Sequence, residues 1–470
     1  MIGAVLHEVA LAVRARQVSV ETLVRAALER IERHDFALNA VVALRAEEAL
    51  AEARAVDEQV ARDEPLGPLA GIPLLVKDIE DVAGMVTTHG SLLHADDPPA
   101  SSDGLVPGRL RSAGAIVVGK TNVPEFAFEG YTANRVFGVT RNPWGHDWSP
   151  GGSSGGSAAA MMAGMAPIAT ASDGGGSIRI PSAACGLVGL KPTNGIVGRR
   201  PIPAWIDLST DGPFATTVAD LRLLLSLEAG PVAGDPSALP RWEPGPDRLP
   251  SRVLAAPRTV PWGPLPAAVE SAFRAALRRL ETDLGLPVEP IEPEAIFRSG
   301  NIDDDWMLLC GVEHAHLLGR AAIARERDRF DPRFLEWMDE SLAVPIDDYM
   351  AVRRRRFDYC RELDLLLGDD AVLATPTIAV EGFLADGRMS GKERPGLHIS
   401  TFNTSAQNIT GHPAISIPAG TLPNGLPFGL QLTAPRFRDE LLLAAAEAWE
   451  RAAPWPRAAP GYEPFDAALG

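Results

Sequence analysis

The chain has 470 residues, of which 46% are apolar and 22% charged, and its formal net charge is −17. These values are typical of a globular protein with a large core, and the excess of acidic side chains disfavours nucleic acid and anionic membrane lipid as partners. The three cysteines, Cys185, Cys310 and Cys360, include no CxxC pair, which indicates a reducing compartment and predicts a cytoplasmic protein.

The first predicted elements are helices over residues 4–60. Apolar residues recur there at helical spacing after Ser19, a residue type favoured at helix N-caps. From residue 70 to 240 short apolar strands alternate with glycine turns and helices, which favours a parallel or mixed sheet. Residues 158–171 predict a buried helix followed by a strand, because this uncharged stretch is shorter than the roughly 20 residues that span a bilayer.

The second half of the chain begins with a predicted surface connection over residues 230–250, which are rich in proline and glycine. Helices are then predicted over 264–370. Strand-like segments follow at 371–377, 413–420 and 425–432, before a closing helix over 439–453. We expect the late strands to join the same sheet as the early ones, so that residues 1–470 form one α/β domain with a helical insertion.

Three motif matches do not have the context that their chemistry requires. Residues 114–121 fit the phosphate-loop pattern, but their interior is itself an apolar strand. Residues 151–155 fit the nucleophile elbow, but no strand precedes them. His314 and His316 lie on different faces of a predicted helix and have no evident third ligand, so we expect surface or satisfied core histidines and no metal site.

A lysine and two serines in glycine-rich surroundings remain as candidates for chemistry. Lys77 ends an apolar strand, where burial favours the neutral amine that can act as a base. The glycines before Ser177 supply backbone N–H groups of the kind that stabilise an oxyanion, which favours Ser177 as the nucleophile. Ser153, in the earlier glycine run, is placed to relay a proton between them.

Seven segments taken together resemble the amidase signature family. They are GIPLLVKD, which contains Lys77, GKTNVPEFA (119–127), RNPW (141–144), SPGGSSGGS (149–157), DGGGSIRIPSAACGLVGLKPT (173–193), DGPFATTVAD (211–220) and TGHPAISIPAG (410–420). Ser153 and Ser177 are 24 positions apart, as the two serines of that family are. The resemblance covers nearly the whole chain and is weakest between about 230 and 370, a divergent helical region that we expect to shape the substrate pocket.

The resemblance implies the amidase signature fold, a large mixed twisted β-sheet covered by helices on both faces. It also implies a Ser–cis-Ser–Lys triad that needs neither metal nor cofactor. In it, Ser177 is acylated, Ser153 bridges from a cis peptide, and Lys77 is the base. The oxyanion hole is formed by the backbone N–H groups of Gly174, Gly175, Gly176 and Ser177.

The same resemblance assigns supporting roles. Ala127 corresponds to a position that lines the substrate pocket, and Ser154, Asp173 and Arg179 correspond to positions that brace the two loops. Gly174 stands where the family often has a bulkier residue, a change that would leave the loop more mobile or make room for a larger acyl group. Thr216 stands where arginine is frequent in the family, and neither change touches the triad.

The functional interpretation is an amidase that acts on a small or medium amide through a serine acyl-enzyme. One alternative is a carbamate (urethane) or ester hydrolase with the same triad. Another is the glutaminase subunit of a tRNA-dependent amidotransferase, and a further one is a catalytically silent binding module. We expect a small-molecule partner and a monomer or homodimer. Trp306, Trp337 and Cys310 are interpreted as core residues in preference to pocket walls.

Overall fold

The computed structural model describes residues 5–240, 243–389 and 398–466. Parts of three predicted ranges lie outside the described residues. These are residue 4 of 4–60, residues 241–242 of 230–250, and residues 1–4, 241–242, 390–397 and 467–470 of 1–470. In chain order the described α-helices are α1 (Val5–Arg14), α2 (Val20–Leu38), α3 (Ala46–Ala61), α4 (Leu105–Ser112), α5 (Gly155–Met162), α6 (Arg179–Cys185), α7 (Val218–Glu228), α8 (Ala267–Thr282), α9 (Ile302–Leu318), α10 (Arg320–Arg325), α11 (Pro332–Leu342), α12 (Ile346–Leu367), α13 (Ser405–Thr410) and α14 (Asp439–Ala452).

The strands form one large mixed sheet and several smaller ones. In chain order they are β1 (Val41–Leu44), β2 (Pro73–Lys77), β3 (Ile116–Thr121), β4 (Ala133–Asn134), β5 (Gly138–Val139), β6 (Ile168–Ala169), β7 (Ser172–Asp173), β8 (Val188–Lys191), β9 (Thr210–Asp211), β10 (Phe214–Ala215), β11 (Arg252–Ala255), β12 (Val288–Pro290), β13 (Ala371–Pro376), β14 (Ala414–Thr421) and β15 (Pro427–Thr433).

The large sheet has seven strands in the order β10-β8-β14-β15-β13-β11-β12. Its pairs are antiparallel except for β11 with β12 and β11 with β13, which are parallel. A second sheet has four strands in the order β1-β3-β2-β6. The predicted mixed α/β architecture is therefore confirmed.

The prediction that the late strands join the early ones is only half right. The strands β13, β14 and β15 share a sheet with β8 and β10, as expected, but β2 and β3 belong to the smaller sheet. The pairing pattern gives the reason: β3 and β6 occupy both edges of β2, and β1 pairs antiparallel with the far edge of β3. No edge of β2 or β3 is left for a late strand.

Several local predictions are confirmed by the boundaries. Ser19 caps α2 by accepting a hydrogen bond from the Thr22 N–H, 3.1 Å away. The stretch 158–171 contains most of α5 and then β6, and the phosphate-loop match is the buried strand β3. The strand β1, which lies inside the range predicted to be helical, was not foreseen.

The helical region after residue 264 packs a second hydrophobic cluster against the large sheet. Helices α9, α11 and α12 enclose it, and Leu254 and Leu373 contribute from strands. Trp306, Trp337 and Cys310 are buried within this cluster. Their interpretation as core residues is confirmed.

Candidate active site

Lys77 lies at the carboxyl end of β2, whose five residues are all buried. An apolar strand of this kind is typical of the middle of a parallel sheet, and β2 pairs parallel with both β3 and β6. The Lys77 amine donates hydrogen bonds to Ser153 Oγ at 2.8 Å and Ser172 Oγ at 2.9 Å. The Lys77 backbone N–H donates to Thr170 Oγ1 at 2.9 Å, so both ends of this residue are held.

The surroundings of Lys77 favour a neutral amine. Burial, which removes the ammonium ion from water, lowers the pKa of Lys77 from 10.5 to about 8, although the carboxylates of Glu80, Asp211 and Asp173 act in the opposite direction. A neutral amine can accept the Ser153 hydroxyl proton across the same 2.8 Å contact. This lysine can therefore act as a base close to neutral pH.

Ser153 is buried on the loop that leads into α5, and its peptide bond with Gly152 is cis. The glycines of this run allow backbone segments to approach each other closely. A Cβ atom on Gly152 would lie 2.7 Å from the carbonyl oxygens of Glu129 and Tyr131, and one on Gly156 would lie 2.5 Å from the backbone of Asn122. The first glycine run is thus explained by packing around Ser153.

Ser177 lies on the wall of the cavity that also exposes Ser153, and it is 8% exposed. Lys77 and Ser153 are in direct contact. Within the described parts of the chain no hydrogen bond joins the Ser153 and Ser177 hydroxyls. The structure therefore forms the first half of the predicted relay directly and places the nucleophile candidate on the same cavity.

The second glycine run differs from the predicted oxyanion hole at one residue. The Gly176 N–H donates to Asp173 Oδ1 at 2.7 Å, so it is not free to face a substrate. A fully buried carboxylate needs several donors, and this amide is one of them. In the described chain the N–H groups of Gly174, Gly175 and Ser177 make no such bond and remain candidate oxyanion donors.

Asp173 and Arg179 form a fully buried ion pair behind this loop. Arg179 Nε and Nη2 each donate to the Asp173 carboxylate at 2.9 Å. Burial acts to raise the pKa of Asp173, but the Arg179 guanidinium outweighs it and holds the pKa at about 2. Arg179 also donates to Gln407 and Asn408 on α13, so this pair ties the loop to a distant helix.

The space beside Gly174 is filled by tryptophan. A Cβ atom on Gly174 would lie 2.2 Å from Trp205 Cε3. The Gly174 carbonyl accepts a 2.7 Å hydrogen bond from Trp306 Nε1. The glycine therefore accommodates the Trp205 ring, which corrects the expectation of a looser loop or added room for an acyl group.

Ala127 and Ser154 occupy the surroundings of the triad residues. Ala127 lines the cavity with a positive φ of 58°, next to Phe126 with a φ of 50°. Ser154 is the N-cap residue of α5, and its hydroxyl lies 3.5 Å from the Ser172 carbonyl oxygen. This contact links the loop of Ser153 to the strand of Ser172.

The cavity has a volume of about 550 Å³ and two kinds of wall. Its lining includes the candidate catalytic serines and the carboxyl groups of Glu80 and Asp211. It also includes an aromatic and apolar wall formed by Phe126, Trp205, His314, Leu317 and Leu318. A ligand with a polar and an apolar part fits such a cavity.

Sequence reasoning missed Ser172, Thr170 and the cavity residues Glu80, Asp211 and Trp205. Thr170 and Ser172 are two positions apart, as are residues on one face of an extended segment, but nothing in the sequence states that Lys77 faces them. His316 is exposed as predicted, whereas His314 is buried on the cavity wall and its Nδ1 has no hydrogen-bond partner among the described residues. His314 is therefore not a satisfied core histidine.

Comparisons with known proteins identify the family of this chain. The family model described as Amidase matches residues 22–443. This chain belongs to the amidase signature family. The family places the protein among enzymes that hydrolyse amides.

Two curated relatives and one solved structure show the breadth of this similarity to amidases. The putative amidase AmiB2 of Mycobacterium tuberculosis (strain ATCC 25618 / H37Rv) is 36% identical over 92% of each chain. A glutamyl-tRNA(Gln) amidotransferase subunit of Cyanothece sp. is 34% identical over 94% of this chain and 96% of its own. The crystal structure of a bacterial aryl acylamidase superposes with a TM-score of 0.86 at 27% identity, covering 97% of this chain and 96% of that one.

Two absences concern the described residues alone. None of their helices is long and apolar enough to cross a bilayer. Across residues 5–240, 243–389 and 398–466, no three His, Cys, Asp or Glu side chains are grouped in a way that would hold a metal ion.

Proposed function

We propose that this protein hydrolyses the carbon–nitrogen bond of a small or medium amide through an acyl-enzyme on Ser177. The observation that carries the proposal is the 2.8 Å contact between the buried Lys77 amine and Ser153 Oγ. A lysine whose pKa burial lowers to about 8, in contact with a serine beside a substrate-sized cavity, is the arrangement that a serine nucleophile needs in place of a histidine base.

In the first half of the reaction, neutral Lys77 accepts a proton from Ser153 as Ser153 takes the proton of Ser177. Ser177 Oγ then forms a bond to the amide carbon, and the carbonyl oxygen becomes an oxyanion. The N–H groups of Gly174, Gly175 and Ser177 donate to that oxygen, and each such donor contributes about 3–4 kcal/mol to lowering the barrier. The proton on Lys77 returns through Ser153 to the leaving nitrogen as the carbon–nitrogen bond breaks.

In the second half, water attacks the ester carbon of the acylated serine. The proton of the water passes through Ser153 to Lys77. The bond between the acyl carbon and Ser177 Oγ then breaks and releases the carboxylic acid. Ser177 regains its proton by the same path. No cofactor takes part in this sequence.

The test is labelling with a fluorophosphonate probe followed by a hydrolysis panel of aryl amides, aliphatic amides, carbamates, esters and glutamine. We expect covalent labelling at Ser177 and turnover of at least one amide. Labelling of a different residue, or labelling that persists in the Ser177→Ala variant, would contradict the assignment. Turnover of carbamates or esters without any amide would favour the alternative of a urethanase or esterase with the same triad.

The second candidate is the glutaminase component of a tRNA-dependent amidotransferase. The relative from Cyanothece sp., which is named as part of such an enzyme and is 34% identical, favours it. Such a component releases ammonia from glutamine for use by its partner chains. Glutamine turnover by the purified chain, with no turnover of other amides, would support this candidate over the stand-alone cytoplasmic amidase. For the stand-alone amidase we propose a monomer or homodimer.

A further inference from the structure

A carboxyl group lies beside the candidate catalytic lysine on the short sheet formed by β7 and β9. In this antiparallel pair Ser172 is directly opposite Asp211. Opposite residues carry their side chains on the same face, with Cβ atoms about 4.5–5.5 Å apart. Because Ser172 Oγ is 2.9 Å from the Lys77 amine, Asp211 is on the same side of the sheet as the triad.

A second carboxyl group, Glu80, follows Lys77 by three residues. Its Oε2 accepts a hydrogen bond from Thr170, the residue that also holds the Lys77 backbone. Both Glu80 and Asp211 are partly exposed, and both line the cavity that contains Ser177. The two carboxyl groups therefore face the space where an amide substrate would lie.

Within the part of the chain that the structure describes, neither carboxyl group has an ion-pair partner. Throughout the described ranges, no lysine, arginine or histidine nitrogen lies within 4 Å of Glu80 or Asp211, and the Asp211 carboxylate has no hydrogen-bond donor. Arg199 and Arg109 are near, but their hydrogen bonds go elsewhere: Arg199 donates to Asp235 and Arg109 to backbone carbonyls such as that of Pro231. Arg200, which also lines the cavity, is exposed. Carboxyl groups in an enclosed site are ordinarily paired.

Two other polar groups on the same cavity are also unsatisfied, which points independently to a ligand. Trp205 is 7% exposed and His314 is 4% exposed, yet Trp205 Nε1 and His314 Nδ1 have no partner in the part of the chain that the structure describes. Their rings are 6.4 Å apart and share the apolar wall with Phe126. A buried polar atom without a partner costs about 1–3 kcal/mol, so a bound group that hydrogen-bonds to either atom would gain affinity.

We propose that the substrate of this site is an amide that carries a protonated amine, held by Glu80 and Asp211, on an aromatic or alkyl body that packs against Trp205 and His314. This inference rests on the proposed amide hydrolysis, and it adds the chemical class of the substrate. An ammonium group supplies the donors and the positive charge that the two carboxyl groups lack. The net charge of −17 draws cations toward the protein in general.

The charged groups around the pair determine how its binding depends on pH. Burial raises the pKa of both Glu80 and Asp211. The charge of Asp211 raises the pKa of Glu80 further. The groups that act on them are Lys77, Lys120, Arg109 and Arg199, which lower these pKa values, and Glu228, whose own pKa the pair raises. Since the pair ionises at a higher pH than ordinary carboxyl groups, preference for a cation grows as pH rises through the neutral range.

The experiment measures binding of phenethylammonium chloride and of its neutral analogue 2-phenylethanol by calorimetry, at pH 8, to the Ser177→Ala variant. This variant needs no turnover, so the measurement is separate from the hydrolysis test. We expect the ammonium ion to bind roughly 10- to 100-fold more tightly, as is usual for a hydrogen-bonded charge. The Glu80→Gln/Asp211→Asn change in the same background should remove that preference.

The matched control is Asp81→Asn, on the same cavity, because the Asp81 carboxylate already accepts a 2.7 Å hydrogen bond from Thr87. It should leave the preference unchanged. Circular dichroism and a melting curve establish that each variant is folded, and the single variant Glu80→Gln replaces the double variant if that one is not. Equal affinity for the two probes, or a preference that survives the double change, would overturn the inference. Ammonium binding by a protein that turns over no amide would contradict only the proposed function.

Discussion

Burial acts directly on Lys77, because its amine is enclosed by two serine hydroxyls and has no ion pair of its own among the described residues. The free-energy cost of removing the ammonium ion from water exceeds the stabilisation that the nearby carboxylates provide. The pKa of Lys77 is therefore about 8. The same enclosure that makes the lysine a base also sets the pH range in which it works.

The pH dependence of the reaction follows from this pKa. The active form has neutral Lys77, so kcat/KM for a neutral amide should rise with pH and level off above about 8. The measurement is a profile from about pH 6 to about pH 10 with an uncharged anilide, a range that brackets this pKa. A value of kcat/KM that stays constant or decreases as the pH rises toward this pKa would rule out the lysine as the base.

Removing the candidate nucleophile tests the other end of the relay. We expect Ser177→Ala to lower kcat/KM by a factor of about 1,000 or more, on the order of the losses seen when a catalytic serine is removed. The melting temperature should stay close to that of the wild type, since only one hydroxyl without a described partner is lost. Turnover near the wild-type rate would disprove the assignment.

The loss of Arg179 should lower the free energy of unfolding substantially. Arg179→Met leaves the Asp173 carboxylate buried and unpaired, which typically costs about 3–5 kcal/mol. Denaturant unfolding at neutral pH measures this cost. The exposed pair of Arg361 with Asp358 is the control, because Arg361→Met should cost less than about 1 kcal/mol.

The same variant has a pH signature with a definite sign. Asp173 has a folded-state pKa of about 2, below its ordinary value of about 3.9. Its contribution to stability is therefore present above about pH 4 and is lost as the pH falls through about 2. The wild-type advantage over Arg179→Met should shrink over that window, and an advantage independent of pH would contradict the ion-pair account.

At the scale of elements, the second glycine run is held by three separate parts of the fold. Trp205 fills the space beside Gly174, Trp306 on α9 donates to its carbonyl, and Thr404 donates to the carbonyl of Gly175. The N–H groups that are candidates for the oxyanion hole are thus positioned by residues that are distant in sequence. Such fixed donors are what lowers a barrier, because they need no reorganisation during the reaction.

Gly174→Ala tests whether the contact with Trp205 holds the second glycine run in place. The added methyl would meet Trp205 Cε3 at 2.2 Å, so we expect a loss of about 1–3 kcal/mol in stability together with lower kcat. Gly108→Ala in α4 is the matched control, since its nearest neighbour is 3.6 Å away and alanine favours helix. Combining Gly174→Ala with Trp205→Leu should recover stability, and a double variant no more stable than the single one would show that Trp205 is not the cause.

At the scale of the whole molecule, parts of the chain that are distant in sequence contact each other, and the single domain stays a prediction. The backbone N–H of Leu6 donates to Asp220 at 3.0 Å, and Thr193 donates twice to Asp439 on α14. The main hydrophobic cluster includes residues of both α1, near the start of the chain, and α14, near its end. We therefore expect one calorimetric unfolding transition for the whole chain, and two resolved transitions would contradict a single domain.

The sequence by itself determined most of the elements and the candidate triad, because these depend on local patterns. The apolar run that ends in Lys77 predicts a buried strand and hence a neutral amine, and the two glycine runs mark loops where a backbone must come close. The resemblance in motif order and spacing then identified the family. It could not show that Gly176 donates to Asp173, since that depends on how a buried carboxylate finds its donors.

Only the tertiary structure decided which residues share the cavity. Ser172 contacts Lys77 across 95 positions of sequence, and Trp205 reaches Gly174 from a loop that no motif includes. The split into two sheets is likewise a matter of which strand edges are already paired. Local patterns determine what a segment forms, whereas the placement of Glu80 and Asp211 on one cavity follows from the packing of segments that are distant in sequence.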